Sequence, residues 1–500
     1  MRICVIGAGA AGICACKHLK SIASWTVVVY ECLERVGGTW NYTEDLNAPS
    51  GVTLPVMYKS LVTNLPKEIM AFPDFPFSDN ISESFVSHEV VAQYLQRYAD
   101  YHNLLPLIKF NHSVVKLENV ACEDDQLWKV IAKNLITGQI ETELFHSVFV
   151  CNGHLSIPKI PPISGYDLFD GLIMHARDYR EPGMFKGMTV ACLGAGPSGT
   201  DISLELSEVA SKVYLCHNDD RLAVSLSKNI EETIGIERLE RKAAVLYNGR
   251  KISIDAIVLC TGYVYDFPFI KDDLGLKVDD NSVSPLYLHM ISIHFPSLFF
   301  IGLCRTVLPF PFFDVQVRFA VELLKGNISL PSVEWMLNDE REQKALRLSL
   351  PKGQRQGPMF MGPLQWPYLG RLTTMARLEP LPPYMEHVYT RLSEIRPRHL
   401  ATYKTFTVRL LNDTDFELRH PDRNEAIVFS LSEPPTQHPT DRLRCRGVRT
   451  IELNFKQIKH DSLVSAGYLE GVIWRRIEIN VFFSMSFANA QRSAEQKSGN

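Results

Sequence analysis

Residues 169–180 read FDGLIMHARDYR and residues 181–201 read EPGMFKGMTVACLGAGPSGTD, a polar segment that leads into an apolar strand and a glycine-rich turn. The strand covers residues 188–193, and residues 199–210 suit a helix. A strand, a G-x-G-x-x-G turn and a helix form the dinucleotide-binding pattern, in which the backbone approaches a pyrophosphate at a helix N-terminus. The residues predicted to contact this nucleotide are Gly194, Gly196, Ser198, Gly199 and Asp201.

The same pattern occurs at the start of the chain. Residues 2–6 form a β-rich run, a helix-compatible segment extends to about residue 20, and residues 26–30 form a second strand. That strand ends at Glu31, about 20 residues after the turn, where a βαβ unit places an acid to accept hydrogen bonds from a ribose. The residues predicted to bind this first dinucleotide are Gly7, Ala8, Gly9, Ala10, Ala11, Gly12 and Glu31.

Composition limits the classes of protein that this chain can belong to. Of its 500 residues, 46% are hydrophobic and 22% are charged, which is typical of globular protein with two or three domains. The formal net charge of -4 gives no broad basic surface for nucleic acid. The 11 cysteines form no C-x-x-C pair and no metal-like cluster, so we predict buried thiols in a reducing compartment and no metal site. No bilayer-spanning run and no signal peptide are evident.

Two dinucleotide sites on one chain predict hydride transfer from a nicotinamide to a flavin. The first turn, with Glu31, suits FAD, and the second then takes the nicotinamide cofactor. A disulfide reductase would need a redox cysteine pair after the first βαβ unit, which is absent from the sequence, and a simple oxidase would not need the second domain. A monooxygenase needs both cofactors.

The predicted fold class is α/β, with two Rossmann-like dinucleotide-binding domains and a C-terminal helical region. We expect residues 1–160 to form the first part of an FAD-binding domain and residues 161–285 to form an inserted NADP-binding domain. Residues 286–420 then return to the FAD domain and continue into C-terminal helices. Residues 421–500 are left as an unassigned, poorly ordered tail.

Five motifs in order resemble those of the flavin-containing monooxygenases. Phe169, Gly171, His175 and Tyr179 spell F-x-G-x3-H-x3-Y, which looks like the identifying motif of that family and precedes the second glycine turn. The likeness extends from residue 1 to about residue 418. Further residues that match the family's cofactor-contacting elements are Gly38, Thr39, Trp40, Thr63, Asn64, Thr261 and Gly262.

The resemblance implies an NADPH-dependent flavin monooxygenase of the N,N-dimethylaniline monooxygenase type. In that family NADPH reduces FAD, and O2 adds to the flavin to give a C4a-hydroperoxide that oxygenates a soft nitrogen or sulfur in a small molecule, such as an amine or thioether. Asn64 would be the catalytic amide beside the flavin C4a position. The implied role is xenobiotic metabolism, including N-oxygenation. Baeyer–Villiger monooxygenases share much of the pattern but usually carry Trp where this chain has Tyr179.

Other readings stay open. A catalytically silent or NAD(P)H-oxidase-like flavoprotein scaffold is one alternative, and a Baeyer–Villiger-type monooxygenase is another. His154 lies in a loop with no visible partner, and such a histidine is more often structural than catalytic. We predict no nucleophilic residue, because the cofactors carry the chemistry.

The chain departs from the family pattern in two places. NADPH-preferring members usually carry Arg directly after the strand that ends near residue 216, whereas here Asp219 and Asp220 precede Arg221, the remaining candidate for the 2′-phosphate. The apolar membrane-associating end of vertebrate members is also absent. We therefore expect a cytoplasmic protein, with peripheral association with the endoplasmic reticulum as the alternative, and a possible homo-oligomer.

Overall fold

The computed structural model describes residues 1–45, 56–122, 125–222, 226–227, 229–270, 274–279, 282–349, 357–420 and 426–429. The contacts group Met1–Pro434 into one compact unit. The second unit, Pro435–Asn500, and almost all of the predicted tail lie outside the described residues.

The β-strands of the described residues are mostly short. In chain order they are β1 (Arg2–Ile6), β2 (Thr26–Tyr30), β3 (Ile108–Lys109), β4 (His112–Cys122), β5 (Asp125–Asn134), β6 (Ile140–Phe145), β7 (Ser147–Val150), β8 (Ile157–Pro158), β9 (Leu172–His175), β10 (Thr189–Leu193), β11 (Lys212–His217), β12 (Ile230–Ile234), β13 (Ile236–Glu240), β14 (Ala243–Leu246), β15 (Lys251–Ser253), β16 (Ala256–Leu259), β17 (Tyr263–Val264), β18 (Lys277–Asp279), β19 (Ser282–Ser284), β20 (Leu286–Tyr287), β21 (Ile291–Ser292), β22 (Leu298–Phe300), β23 (Thr407–Leu410), β24 (Phe416–Arg419) and β25 (Ala426–Phe429).

The α-helices of the same residues lie mainly at the start and in the last third of the chain. They are α1 (Ala10–Lys20), α2 (Lys67–Met70), α3 (His88–Tyr101), α4 (Pro197–Leu206), α5 (Pro309–Leu324), α6 (Val333–Ser349), α7 (Gln365–Ala376) and α8 (Pro383–Ile395).

A seven-stranded sheet holds the first glycine turn. Its strand order is β20-β21-β22-β7-β1-β2-β3, and the five strands from β22 to β3 run parallel. Alternate residues of β1 face opposite sides: Ile3 and Val5 pack in the core with α1 and α5, while Cys4 and Ile6 pack with the β4-β5-β6 sheet. Because both faces are covered, β1 is almost wholly buried, as expected for a central parallel strand.

A five-stranded parallel sheet holds the second glycine turn. Its order is β12-β11-β10-β16-β9, with helix α4 packed on one face and the antiparallel sheet β13-β14-β15 on the other. The last strand, β9, belongs to the polar segment that begins at Phe169. Two nucleotide-binding α/β sheets, as the sequence predicts, are therefore present, and the predicted fold class is confirmed.

The C-terminal region, predicted to continue into helices up to residue 420, also contains strands. Helices α6 to α8 are present, but β23 and β24 form an antiparallel sheet with β25. The side chains of β23 and β24 alternate, so Val408 and Phe416 enter an apolar cluster with α8 while Thr407 and Arg409 are exposed. The prediction of helix was wrong there because this burial depends on a cluster that distant parts of the chain complete.

Candidate functional site: two nucleotide turns joined by a loop

The two glycine turns have nearly the same steric environment. A Cβ atom on Gly12 would lie 1.8 Å from the backbone oxygen of Gly7, and one on Gly199 would lie 1.8 Å from that of Gly194. Gly7 and Gly194 have positive φ angles of 99° and 111°, which favour glycine. The first and last glycines of each turn therefore have a physical requirement for the absence of a side chain.

Each turn opens onto the N-terminus of a helix. Helix α1 begins after Gly9 and helix α4 begins after Gly196, and neither cap residue supplies a side-chain hydrogen bond. Neither helix carries an acid in its first turn. A Cβ on Gly196 would meet nothing within 4 Å, so space remains beside the turn. Uncapped N–H groups and the positive end of the helix dipole suit a phosphate group at both places.

Glu31 lies where the βαβ pattern places it, but its carboxylate already has partners. Oε2 accepts a hydrogen bond from the Ala8 backbone N–H at 2.5 Å, and Oε1 accepts one from the Leu33 N–H at 2.8 Å. The side chain is almost completely buried, and burial raises its pKa although these N–H groups act in the opposite direction. Glu31 thus holds the first turn, and a ribose contact through its remaining lone pairs stays a prediction.

The predicted Gly38–Thr39–Trp40 element packs directly on the first turn. A short 3-10 helix, Gly38–Trp40, follows Gly37, whose N–H donates to the Ala8 oxygen at 3.0 Å. A Cβ on Gly38 would lie 3.0 Å from Cα of Gly9. Within the described chain, Oγ1 of Thr39 is buried and has no hydrogen-bond partner. A buried hydroxyl without a partner, next to an open helix N-terminus, fits a bound flavin dinucleotide at this turn.

Thr63 and Asn64 lie in the loop that precedes α2. The Thr63 hydroxyl accepts a hydrogen bond from the Val86 N–H at 3.1 Å, so this side chain holds the loop to the start of α3. The Asn64 Oδ1 atom accepts a hydrogen bond from the Tyr403 hydroxyl at 3.0 Å. A cofactor contact of Thr63 and Asn64 stays a prediction.

The same loop contacts helix α4 and, through His88, is linked to the segment that follows the Gly38–Trp40 element. Tyr58 donates to Asp201 at 3.0 Å and Ser60 donates to Glu205 at 2.8 Å, which ties the loop to α4 behind the second turn. On the other side, Nε2 of His88 lies 3.2 Å from the Lys59 oxygen, and its ring packs at a tilt against that of Tyr42, two residues beyond Trp40, with the ring centroids 5.1 Å apart.

The polar segment that begins at Phe169 organises the second sheet. Nε2 of His175 lies 3.1 Å from the Gly262 oxygen, and the Tyr179 hydroxyl donates to Glu205 at 2.8 Å. Burial lowers the pKa of His175, which favours the neutral imidazole. A Cβ on Gly171 would lie 2.3 Å from the Asp255 oxygen, so this position also requires glycine. These contacts hold the motif to Gly262 and to helix α4.

Three further predicted cofactor residues are placed as follows. Thr261 donates through its hydroxyl to the Lys159 oxygen at 2.5 Å, and this contact ties the segment after β16 to the segment after β8. Ser198 is half-buried in the first turn of α4. Asp201 lies one turn further along α4 and uses Oδ2 to accept from Tyr58 and Lys404, at 3.0 and 2.6 Å. Its bonded partners are protein groups, so its predicted role in cofactor binding remains a prediction.

Arg221 is exposed in the loop after β11, together with Asp219 and Asp220. Glu232 of β12 fixes both ends of this loop, because it accepts hydrogen bonds from His217 at 2.9 Å and from the Leu222 N–H at 2.8 Å. The structure therefore leaves Arg221 accessible to a 2′-phosphate, with two carboxylates beside it.

His154 is a half-buried histidine near the first sheet. Burial, with the nearby Arg305 charge, lowers its pKa to about 4, and its ring lies 5.3 Å from that of Tyr265. The lowered pKa implies a neutral imidazole above about pH 5, and the structural role of His154 stays a prediction.

One cluster between α1 and α5 contains three side chains of types that can ligate metals. Cys14, His18 and Asp314 have ligand atoms within 4.8 Å of one another. His18 lies 2.6 Å from Asp314, and Arg318 donates to the same carboxylate at 2.7 Å. We interpret the group as a structural contact that joins α1 and α5 through the hydrogen bond between His18 and Asp314.

Three residues that contact predicted site residues, Tyr58, Tyr403 and Lys404, are not among the residues predicted from the sequence. Tyr403 contacts a residue 339 positions earlier in the chain. No short motif surrounds it in the sequence, so only the three-dimensional fold reveals it.

Among the helices that the structure describes, none combines the length and apolar character needed to cross a bilayer.

Two dinucleotide turns, each at the end of a parallel strand and joined by one loop, define a two-nucleotide oxidoreductase. A family model described as Flavin-binding monooxygenase-like matches residues 1–232 and 215–356. The chain belongs to the flavin-containing monooxygenase family and is a flavin monooxygenase enzyme. The FAD and NADPH cofactors predicted from the sequence agree with this membership.

Curated relatives and solved structures agree with the family. The chain is 35% identical over 361 residues to "Flavin-containing monooxygenase FMO GS-OX-like 2" of Arabidopsis thaliana, covering 68% of this chain and 77% of that protein. It is 29% identical to the S-allyl-L-cysteine S-oxygenase of Allium sativum, with a TM-score of 0.73 over 81% of this chain and 94% of that one. Tmm from Pelagibacter sp. strain HTCC7211, 24% identical with a TM-score of 0.73, covers 82% and 94% of the two chains and shows the shared fold.

Proposed function

We propose that the protein uses NADPH and O2 to oxygenate a soft nucleophilic atom of a small molecule, with thioether sulfur as the first candidate and amine nitrogen as the second. The observation that carries this proposal is the loop that bears Asn64, because it is hydrogen-bonded to helix α4 of the second turn and, through His88, is linked to Tyr42, which follows the Gly38–Trp40 element at the first turn. Sulfur comes first because the Allium sativum relative is an S-allyl-L-cysteine S-oxygenase.

Some of the site residues would bind the two cofactors, and others would position the reacting groups. The N-termini of α1 and α4 would receive the pyrophosphates of FAD and NADPH, and Thr39 would donate its free hydroxyl to the flavin nucleotide. When bound, the flavin supplies the hydride acceptance and oxygen activation. Asn64, held at its oxygen by Tyr403, would present its amide N–H to the reacting edge. We also propose the domain limits given above, with residues 161–285 as the nicotinamide domain.

The first experiment uses the full chain. Purified protein should show flavin absorbance near 450 nm and should oxidise NADPH faster when a thioether or tertiary amine is added. Mass spectrometry should find a product that contains one additional oxygen atom. NADPH oxidation that yields only hydrogen peroxide would favour the oxidase-like scaffold, and an ester from a ketone would favour Baeyer–Villiger oxygenation.

Replacing Asn64 by alanine should leave FAD bound but divert turnover from oxygenation to hydrogen peroxide. The reason is that the amide is the polar side chain proposed at the reacting edge, and its loss removes about 1–3 kcal/mol of hydrogen bonding to a buried group. We expect the product formed per NADPH to fall about tenfold or more. Asn338→Ala, on the surface of α6, is the matched control. Equal product yield in both variants would exclude Asn64 from the site.

Replacing Arg221 by alanine tests the coenzyme. A phosphate contact from an exposed arginine contributes about 1–2 kcal/mol, so the KM for NADPH should rise about tenfold while the KM for NADH hardly changes. Arg241→Ala, which removes an exposed arginine paired with Asp170, is the control. If both coenzymes respond alike, Arg221 does not read the 2′-phosphate.

A further inference from the structure

Tyr403 is a buried tyrosine of the C-terminal region whose hydroxyl is directed to the proposed catalytic amide. Its side chain is 2% exposed, its ring packs edge-on against that of Phe85 at 5.5 Å, and the Arg396 guanidinium lies 5.2 Å from its ring centroid. These contacts fix the ring, and the hydroxyl then donates to Asn64 Oδ1 at 3.0 Å. A donor on the amide oxygen fixes which end of the amide faces Tyr403, and the Nδ2 end faces elsewhere.

Lys404, the next residue, connects the same segment to the nicotinamide side. Its ammonium donates to Asp201 Oδ2 at 2.6 Å and to the Val62 oxygen at 2.9 Å. The Lys404 and Asp201 side chains are only 21% and 14% exposed, so solvent screens this pair less than a surface ion pair. Burial lowers the pKa of Lys404, while the Asp201 charge acts in the opposite direction.

Asp201 belongs to the helix that starts at the second glycine turn. Asp201 and Glu205 are one turn apart on α4, and they accept hydrogen bonds from Tyr58 and Ser60 respectively. An unbroken series of contacts therefore leads from Asn64 through Tyr403 and Lys404 to α4. A cavity of about 170 Å³ lies beside this series, lined by residues of the loop, of α4 and of the segment around residues 400–404.

We propose that Tyr403 and Lys404 are positioning residues for the oxygenation: Tyr403 orients the Asn64 amide, and Lys404 holds the Asn64 loop at a fixed place relative to helix α4. The C-terminal segment would thereby keep the amide aligned with both nucleotides. This inference rests on the proposed function, because it assigns the two residues a task in that reaction.

The test compares Tyr403→Phe and Lys404→Met with the control Tyr384→Phe, which changes a tyrosine packed against the same apolar cluster. We expect Tyr403→Phe to retain FAD and to oxidise NADPH at a rate within about threefold of the wild type. Its hydrogen peroxide yield per NADPH should rise at least threefold. Lys404→Met should show the same uncoupling together with a higher KM for NADPH. Normal coupling in both variants would overturn the proposal.

A double-variant cycle separates positioning from general support of the fold. If Tyr403 acts through Asn64, then adding Tyr403→Phe to Asn64→Ala should cause no further uncoupling, because the amide that it orients is gone. A full additional effect would show that Tyr403 acts by another route. If Tyr403→Phe does not fold, Lys404→Met alone decides, through coupling and the KM for NADPH.

The two proposals fail in different ways. A wild-type protein that binds FAD but forms no oxygenated product would contradict the proposed function. In that case the melting temperatures of the wild type, Tyr403→Phe, Asn64→Ala and the double variant still test the contact. Additive changes in melting temperature would contradict a direct Tyr403–Asn64 interaction, and non-additive changes would support it.

Discussion

Replacing Gly12 by alanine should abolish flavin binding. The added Cβ would lie 1.8 Å from the Gly7 oxygen, so the turn that faces the N-terminus of α1 has to move. Overpacking of this kind costs about 3 kcal/mol, which corresponds to a roughly hundredfold weaker affinity for FAD. The measurement is the absorbance near 450 nm of the purified variant, before and after incubation with added FAD.

A helical glycine elsewhere provides the control for this result. A Cβ on Gly370, inside α7, meets nothing within 4 Å, so Gly370→Ala should keep its flavin and gain about 0.5–1 kcal/mol of stability. Normal FAD content in Gly12→Ala would show that the first turn does not hold the flavin.

Replacing Gly199 by alanine should give the complementary result, a protein that keeps FAD but is no longer reduced by NADPH. The steric conflict is the same, with Cβ 1.8 Å from the Gly194 oxygen, but it falls on the turn of the other sheet. We expect the rate of flavin reduction by NADPH to fall about a hundredfold in anaerobic stopped-flow measurements. Dithionite should still reduce the flavin.

Each variant serves as the control for the other. Gly199→Ala shows whether a crowded glycine turn unfolds the chain as a whole, since retained yellow colour reports an intact first site. Loss of FAD in both variants would contradict the assignment of one nucleotide to each turn.

Local pattern was sufficient to predict much of the fold. Strand β1, helix α1 and strand β2 follow from an apolar run, three glycines and a terminal acid, because these features act over short distances. The second glycine turn, between β10 and α4, follows from the sequence in the same way. The spacing also located Glu31, but it did not show that backbone N–H groups of Ala8 and Leu33 occupy the carboxylate.

The remainder depends on contacts between distant segments. Strands β23 and β24 are four residues each, too short for their alternation to outweigh the helical character of the preceding segments. Tyr403 and Lys404 acquire their roles only because the chain returns to Asn64 and Asp201. Sequence patterns do not reveal such contacts between distant segments unless a motif marks the residues.

The pairing of β7 with β22 has a consequence for biosynthesis. Strand β7 ends at Val150, and its neighbour β22 begins at Leu298. All strands of the five-stranded sheet lie between these two residues in the chain, so they emerge from the ribosome after β7 and before β22. Until Leu298 is synthesised, the nascent chain exposes an unpaired edge along β7. If the intervening segment folds rapidly, a shorter flexible loop has to close before Leu298 pairs with β7. If it folds slowly, the edge of β7 stays open to association with other chains.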